Sequence, residues 1–194
     1  VGAVVNTAQL KFGESILIVG LGGVGLSAIL GAKAAGASNI IAADLNPKKR
    51  AIGQELGAHH AIDSSKKNAL QLLKNLSDGG VDVAVEFAGA IPALELAFNA
   101  TKRGGTTVTA ALPHPDAKLE ISPVTLVGQE KSLKGSYLGG CIPSRDIPAY
   151  IELYKTGRLD VEKLISHRIK LEDINDGFER LAKGEALRQI ILFD

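Results

Sequence analysis

The chain has 194 residues, with 22 basic and 21 acidic side chains interspersed and a formal net charge of +1. That balance argues against a nucleic-acid or anionic-membrane partner, and no apolar run reaches the roughly 18 residues of a membrane span. Cys141 is the only cysteine, which excludes a disulfide framework and a cysteine-rich zinc motif and fits a reducing, cytoplasmic setting.

The opening, "VGAVVNTAQLKFGES", lacks the basic and apolar pattern of a secretory leader. It begins on Val1 in a chain without methionine, so it reads as a piece of a longer protein. Short β-branched runs then alternate with helical periodicity. Strands are predicted over Ser15–Val19, Asn39–Asp44, Val81–Phe87 and Thr106–Ala111, with a weaker one near His60–Ile62 and an edge strand within Lys131–Leu138. Helices are predicted over Val24–Ala35, Lys48–Leu56, Lys66–Leu76, Pro92–Ala100 and Arg145–Lys155. Asn46 and Pro47 suit an N-cap and first helical position, while Gly36 and Gly57 suit helix ends. The alternation implies an α/β fold, a doubly wound parallel sheet with helices on both faces. From about residue 161 the pattern becomes strand, helix, strand. We therefore divide the chain into a domain over 1–160 and a short carboxyl-terminal arm over 161–194.

The densest signal is "GLGGVG". Glycine inside a helix costs roughly 1 kcal/mol against alanine, so its repeated use where a strand becomes a helix needs a reason. Gly20, Gly22 and Gly25 match G-x-G-x-x-G. The first glycine serves a tight turn, the second lets a pyrophosphate approach the backbone, and the third lets helix and strand pack closely. The helix that follows directs free N–H groups and a partial positive charge at the anion. Asp44 ends the next strand at the distance the dinucleotide fingerprint requires. Its carboxylate suits the ribose hydroxyls of NAD and repels a 2′-phosphate, which favours NAD over NADP. Lys48, Lys49 and Arg50 run against the dipole of the helix they open. Either a nearby ribose or phosphate rewards them, or they face solvent.

Four segments, "GLGGVGLSAILGAKAAGASNIIAADLN", "ELGAHHAID", "GGVDVAVEFAGA" and "LEDINDGFERLAKGEALRQIILF", together resemble the carboxyl-terminal half of a medium-chain, zinc-containing alcohol dehydrogenase. The resemblance implies a Rossmann fold binding NAD, with Gly23 beside the fingerprint glycines. It places Val24 against the nicotinamide, Lys49 with Asp44 at the adenosine ribose, and Phe87 and Ala88 along the cleft. It sets Ala110, Leu112, Ser136 and Leu138 around the nicotinamide and Arg188 at the pyrophosphate. It also implies a homodimer joined through Lys131–Gly139. In that family, cysteine and histidine of an amino-terminal, GroES-like domain hold the catalytic zinc, and none of those ligands is in this sequence.

No catalytic or metal-binding residue is therefore assigned here. His59 and His60 lack partners at metal-ligand spacing, His114 lies near the predicted cleft, and His167 belongs to the arm's packing. The whole protein is expected to move hydride between an alcohol or aldehyde and NAD, with zinc only in the missing domain and this chain alone inactive. The alternatives are a zinc-free, NADPH-using quinone or enoyl reductase of the same superfamily and a non-catalytic NAD-binding module.

Overall fold

A computed structural model describes residues 1–193. The elements run β1 (Ser15–Val19), α1 (Gly23–Ala35), β2 (Asn39–Asp44), α2 (Pro47–Glu55), β3 (His60–Asp63) and α3 (Ala69–Leu76). They continue with β4 (Val81–Glu86), α4 (Ile91–Ala100), β5 (Thr101–Thr109), α5 (Pro123–Gly128), β6 (Ser132–Gly135) and α6 (Pro143–Lys155). The six strands form one parallel sheet in the order β3-β2-β1-β4-β5-β6. Strand order reverses between β1 and β4, where a parallel sheet opens a crevice at its carboxyl edge.

The central strands are mainly apolar because both of their faces are buried. Leu17, Val19, Ile41 and Ala43 join Leu73 and Ala97 in one cluster. The alternate residues Ile16, Ile18 and Ile40, also buried, face the other side. Each such side chain contributes roughly 1.5–3 kcal/mol, so the sheet centre is the rigid platform for everything at its edges.

Local chemistry sets the element ends. Asn46 caps α2 by accepting the Lys48 N–H at 2.8 Å, with Pro47 next in line. Gly36 closes α1 in the left-handed region, φ +82°. Helix α3 starts at Ala69 rather than Lys66, because Asp63 turns the chain by binding both the N–H and the hydroxyl of Ser65. Strand β4 stops at Glu86, one residue short of the prediction. Strand β5 starts at Thr101 rather than Thr106 and carries an irregular register opposite β4 across "TKRGG".

The predicted edge strand is a true edge but spans only Ser132–Gly135. Lys131, expected at that edge, is buried instead. Its ammonium donates to Phe98 O at 2.7 Å near the end of α4 and lies 4.8 Å over the Phe98 ring. Burial, then the charge of Lys74, push its pKa down.

The chain divides into two compact units, Val1–Leu159 and Asp160–Asp194. In the second, β7 (Ile165–Ile169) pairs in parallel with β8 (Arg188–Ile191), joined through α7 (Ile174–Ala182). Gln189 Nε2 donates to Gly177 O at 2.6 Å, tying the helix to the pair. Among the described residues, no helix is long and apolar enough to cross a membrane.

Candidate functional site

Beyond their last paired residues, the strands remain stitched by backbone bonds. Gly20 N–H donates to Ala43 O at 2.8 Å, Phe87 N–H to Val19 O at 2.8 Å, Ala110 N–H to Glu86 O at 3.0 Å, and Ser136 N–H to Thr109 O at 2.9 Å. The loops after β1, β4, β5 and β6 thus leave the carboxyl edge in one row. Four of the segments singled out in the sequence are brought together there.

The three fingerprint glycines have different surroundings. Gly20 sits at φ +90°, and a Cβ on it would come within 2.7 Å of Ala88 N. On Gly25 a Cβ would overlap the Gly20 carbonyl oxygen, so the first turn of α1 packs on the loop with no room to spare. Gly22 has ordinary backbone angles, φ −73° and ψ −175°, and a Cβ there would meet nothing within 4 Å. Neither conformation nor packing in this chain demands glycine at 22. Gly22 caps α1 without any side-chain bond, and no acid lies in the first turn. The leading N–H groups of the helix, Gly23 and Val24 included, lack intrahelical acceptors by position and carry the positive end of the dipole. Val24 is 54% exposed there.

Asp44 lies where the fingerprint requires, and the structure gives it a further task. Its Oδ2 accepts the Leu21 N–H at 2.7 Å and its Oδ1 accepts the Asn46 N–H at 2.8 Å. The carboxylate thereby braces the glycine loop against the start of α2. Each oxygen keeps a lone pair for a ligand. Arg50 is committed elsewhere. Its Nη1 donates to Asp44 O and Leu45 O, both at 2.8 Å, and its Nη2 lies 3.7 Å from Asp63 Oδ2. The cation opposed to the helix dipole is thus offset by two carbonyls and a carboxylate, while Lys49 stays half-buried beside it in sequence.

Between these loops lies a mainly apolar cavity of about 300 Å³, lined by Gly20, Asp44, Leu45, Ala88, Pro92 and Leu96 among others. Phe87 is half-buried and Ala88 exposed. Leu112 and Leu138, 88% and 77% exposed, stand beyond β5 and β6. Arg188 is exposed at the start of β8, in the second unit.

Glu86 is a functional residue that the sequence pattern does not single out. It is 1% exposed at the end of β4, where Oε1 accepts the Gly89 N–H at 2.6 Å and Oε2 the Thr109 hydroxyl at 2.9 Å. It pins the loop after β4 to the end of β5. An acid directly after the apolar run of Val83, Ala84 and Val85 is the signal the sequence offers.

The histidines do structural or surface work. His59 Nδ1 accepts the Ile40 N–H at 2.8 Å, and His114 is exposed beside Asp116. Among the described residues, no group of three or more His, Cys, Asp or Glu side chains could hold a metal ion.

The family model described as zinc-binding dehydrogenase matches residues 23–156. Alcohol dehydrogenase 1 of Cenchrus americanus is 38% identical over 193 residues, which make up 98% of this chain and 51% of that protein. The benzyl alcohol dehydrogenase structure from Acinetobacter calcoaceticus superposes with a TM-score of 0.95 at 30% identity, covering 100% of this chain and 53% of that one. A protein described as a zinc-binding dehydrogenase from Sinorhizobium meliloti 1021, solved bound to NADP, gives a TM-score of 0.77 at 27% identity over 90% of this chain and 51% of its own. The chain spans about half the length of the curated relatives it matches.

Proposed function

The chain belongs to the zinc-binding dehydrogenase family, and from that premise we propose that it is the NAD-binding part of a zinc-type alcohol dehydrogenase. In this reading the whole protein moves hydride between an alcohol or aldehyde and NAD. The observation that carries it is Gly22, a glycine that neither conformation nor packing requires, at a helix N-terminus without a side-chain cap and beside Asp44. A ligand whose anionic group must touch the backbone accounts for that residue.

When bound, the dinucleotide supplies a nicotinamide ring that accepts or releases hydride; this chain supplies binding and orientation. The N–H groups at Gly22–Gly25 would hold the pyrophosphate. Asp44 and Lys49 would hold the adenosine ribose, and the apolar slot by Ala88 and Pro92 the adenine. Val24, Phe87, Ala110, Leu112, Ser136 and Leu138 would surround the nicotinamide. Arg188 is proposed as a further pyrophosphate contact on the resemblance alone. Among the described residues, no cluster of His, Cys, Asp or Glu side chains fits zinc. The reading includes a 1–160 cofactor domain, a 161–194 arm, a cytoplasmic setting, and a homodimer joined at the unpaired edge of β6.

Selectivity tests the reading. A 2′-phosphate about 4 Å from Asp44 would meet like-charge repulsion of about 4 kcal/mol at an effective dielectric near 20. We expect NADH to bind at least about tenfold more tightly than NADPH in a fluorescence titration. Asp44→Asn should narrow that gap by removing the charge. Asp44→Ala should narrow it too and weaken both ligands, because the Leu21 and Asn46 N–H groups lose their acceptor. Equal affinities in the unmutated chain would overturn the role given to Asp44.

A further inference from the structure

The helical turn Ala3–Thr7 and the segment after β6 are interlocked by groups that the cofactor reading leaves unused. Both hydrogens of the Asn6 amide are engaged, Nδ2 donating to Gly139 O at 3.3 Å and to Asp146 Oδ2 at 3.1 Å. Thr7 Oγ1 and Ser136 Oγ lie 2.7 Å apart. Gly2 and Gly139 meet backbone to backbone: a Cβ on Gly2 would come within 2.5 Å of Gly139 O. Asp146, only 6% exposed, receives the Arg145 guanidinium and the Ile142 N–H, the latter at 2.9 Å. Those two partners, Arg145 first, hold its carboxyl at about 2, so the acceptor facing Asn6 is ionised near neutral pH.

The backbone held by this clasp is unusual. Leu138, Gly139 and Gly140 follow one another at φ +48°, +69° and +58°. Glycine tolerates that region, but a leucine there carries roughly 1–2 kcal/mol of strain. Leu138 is also 77% exposed, so its own burial does not offset the strain. Such a conformation persists only where surrounding contacts impose it, and here Thr7 holds Ser136 before it, Asn6 holds Gly139 O after it, and Asp146 holds the Ile142 N–H further on.

We propose that Asn6, Thr7 and Asp146 are positioning residues for the nicotinamide end of the cofactor site. They fix the Ser136–Leu138 backbone at the carboxyl edge and keep Leu138 left-handed before any ligand arrives. A preformed wall spares the ligand the ordering of that segment. The inference rests on the cofactor reading above and adds residues that read no part of the dinucleotide themselves.

NADH and ADP-ribose, which has the adenosine and pyrophosphate but no nicotinamide, separate positioning from general stability. Asn6→Asp sets a carboxylate against Asp146 and removes both donations. Thr7→Val deletes one hydroxyl and Thr7→Ser keeps it. Calorimetry on the full chain should show NADH affinity falling about tenfold in Asn6→Asp and about threefold in Thr7→Val, with Thr7→Ser restored and ADP-ribose unchanged throughout. Equal losses for both ligands would reduce the clasp to a structural brace, and no loss for either would remove it from the site; both overturn the proposal. An unmutated chain that binds neither ligand would overturn the cofactor reading and this inference with it. Should Asn6→Asp fail to fold, the Thr7→Val and Thr7→Ser pair decides.

Discussion

Gly22→Ala and Gly25→Ala, three residues apart at the cap and in the first turn of α1, are expected to fail in opposite ways. At position 25 the new methyl would overlap the Gly20 carbonyl oxygen, so the loop or the first turn of α1 must move. Overpacking of this kind costs about 1–3 kcal/mol, and for a chain of this length that lowers the melting temperature by roughly 2–12 °C. At position 22 the methyl meets nothing within 4 Å, and the backbone angles suit any residue. Gly22→Ala should therefore lose only the modest preference of an N-cap for glycine over alanine, about 1–4 °C in melting temperature, while its affinity for NADH falls at least about tenfold. Thermal melts and titrations on the two variants check both statements. A Gly22→Ala variant destabilised as strongly as Gly25→Ala would mean that position 22 is not open. A stable Gly22→Ala with full NADH affinity would remove the pyrophosphate from this helix end.

Glu86→Ala is expected to be among the most damaging single changes outside the apolar core. It leaves the Gly89 N–H and the Thr109 hydroxyl without their acceptor in a site where Glu86 is 1% exposed. An unsatisfied buried donor costs about 1–3 kcal/mol, and two together with the cavity make about 3 kcal/mol a fair expectation, or roughly 6–12 °C in melting temperature. Glu86→Gln should recover most of it. Its amide oxygen can accept from Gly89, and its NH₂ can donate to a Thr109 hydroxyl that has turned to accept. If the glutamine variant melts as low as the alanine variant, the charge of Glu86, and not its shape and bonding, is what the site requires.

The contrast between these residues also explains how far the sequence could be read. Strands β1, β2 and β4 were plain because burial on both faces leaves mainly apolar runs between turn signals. The first half of β5 was missed because "TKRGG" is polar and glycine-rich, and only its pairing with β4 makes it a strand. Helix α5 was missed because "PVTLV" has strand-like composition in a helix of a single long turn. Gly20, Gly22, Gly25 and Asp44 could be found because the fingerprint is local spacing. The second task of Asp44 could not, since its bond to Leu21 spans 23 positions and exists only once β1 and β2 are paired. Asn6 and Asp146 are 140 positions apart, and no local pattern links them. Spacing finds the groups that wait for a ligand; the bonds that aim those groups are products of the fold.

The central claim is that a dinucleotide lies across the carboxyl edge of the parallel sheet. Backbone amide shifts of the ¹⁵N-labelled chain, followed as NADH is added, test it residue by residue. The largest changes should fall on 20–25, 44–45, 87–90, 110–112 and 136–138, with little at the amino edge around 11–15 and 102–105. No shift at millimolar NADH, or shifts confined to the amino edge, would contradict the account.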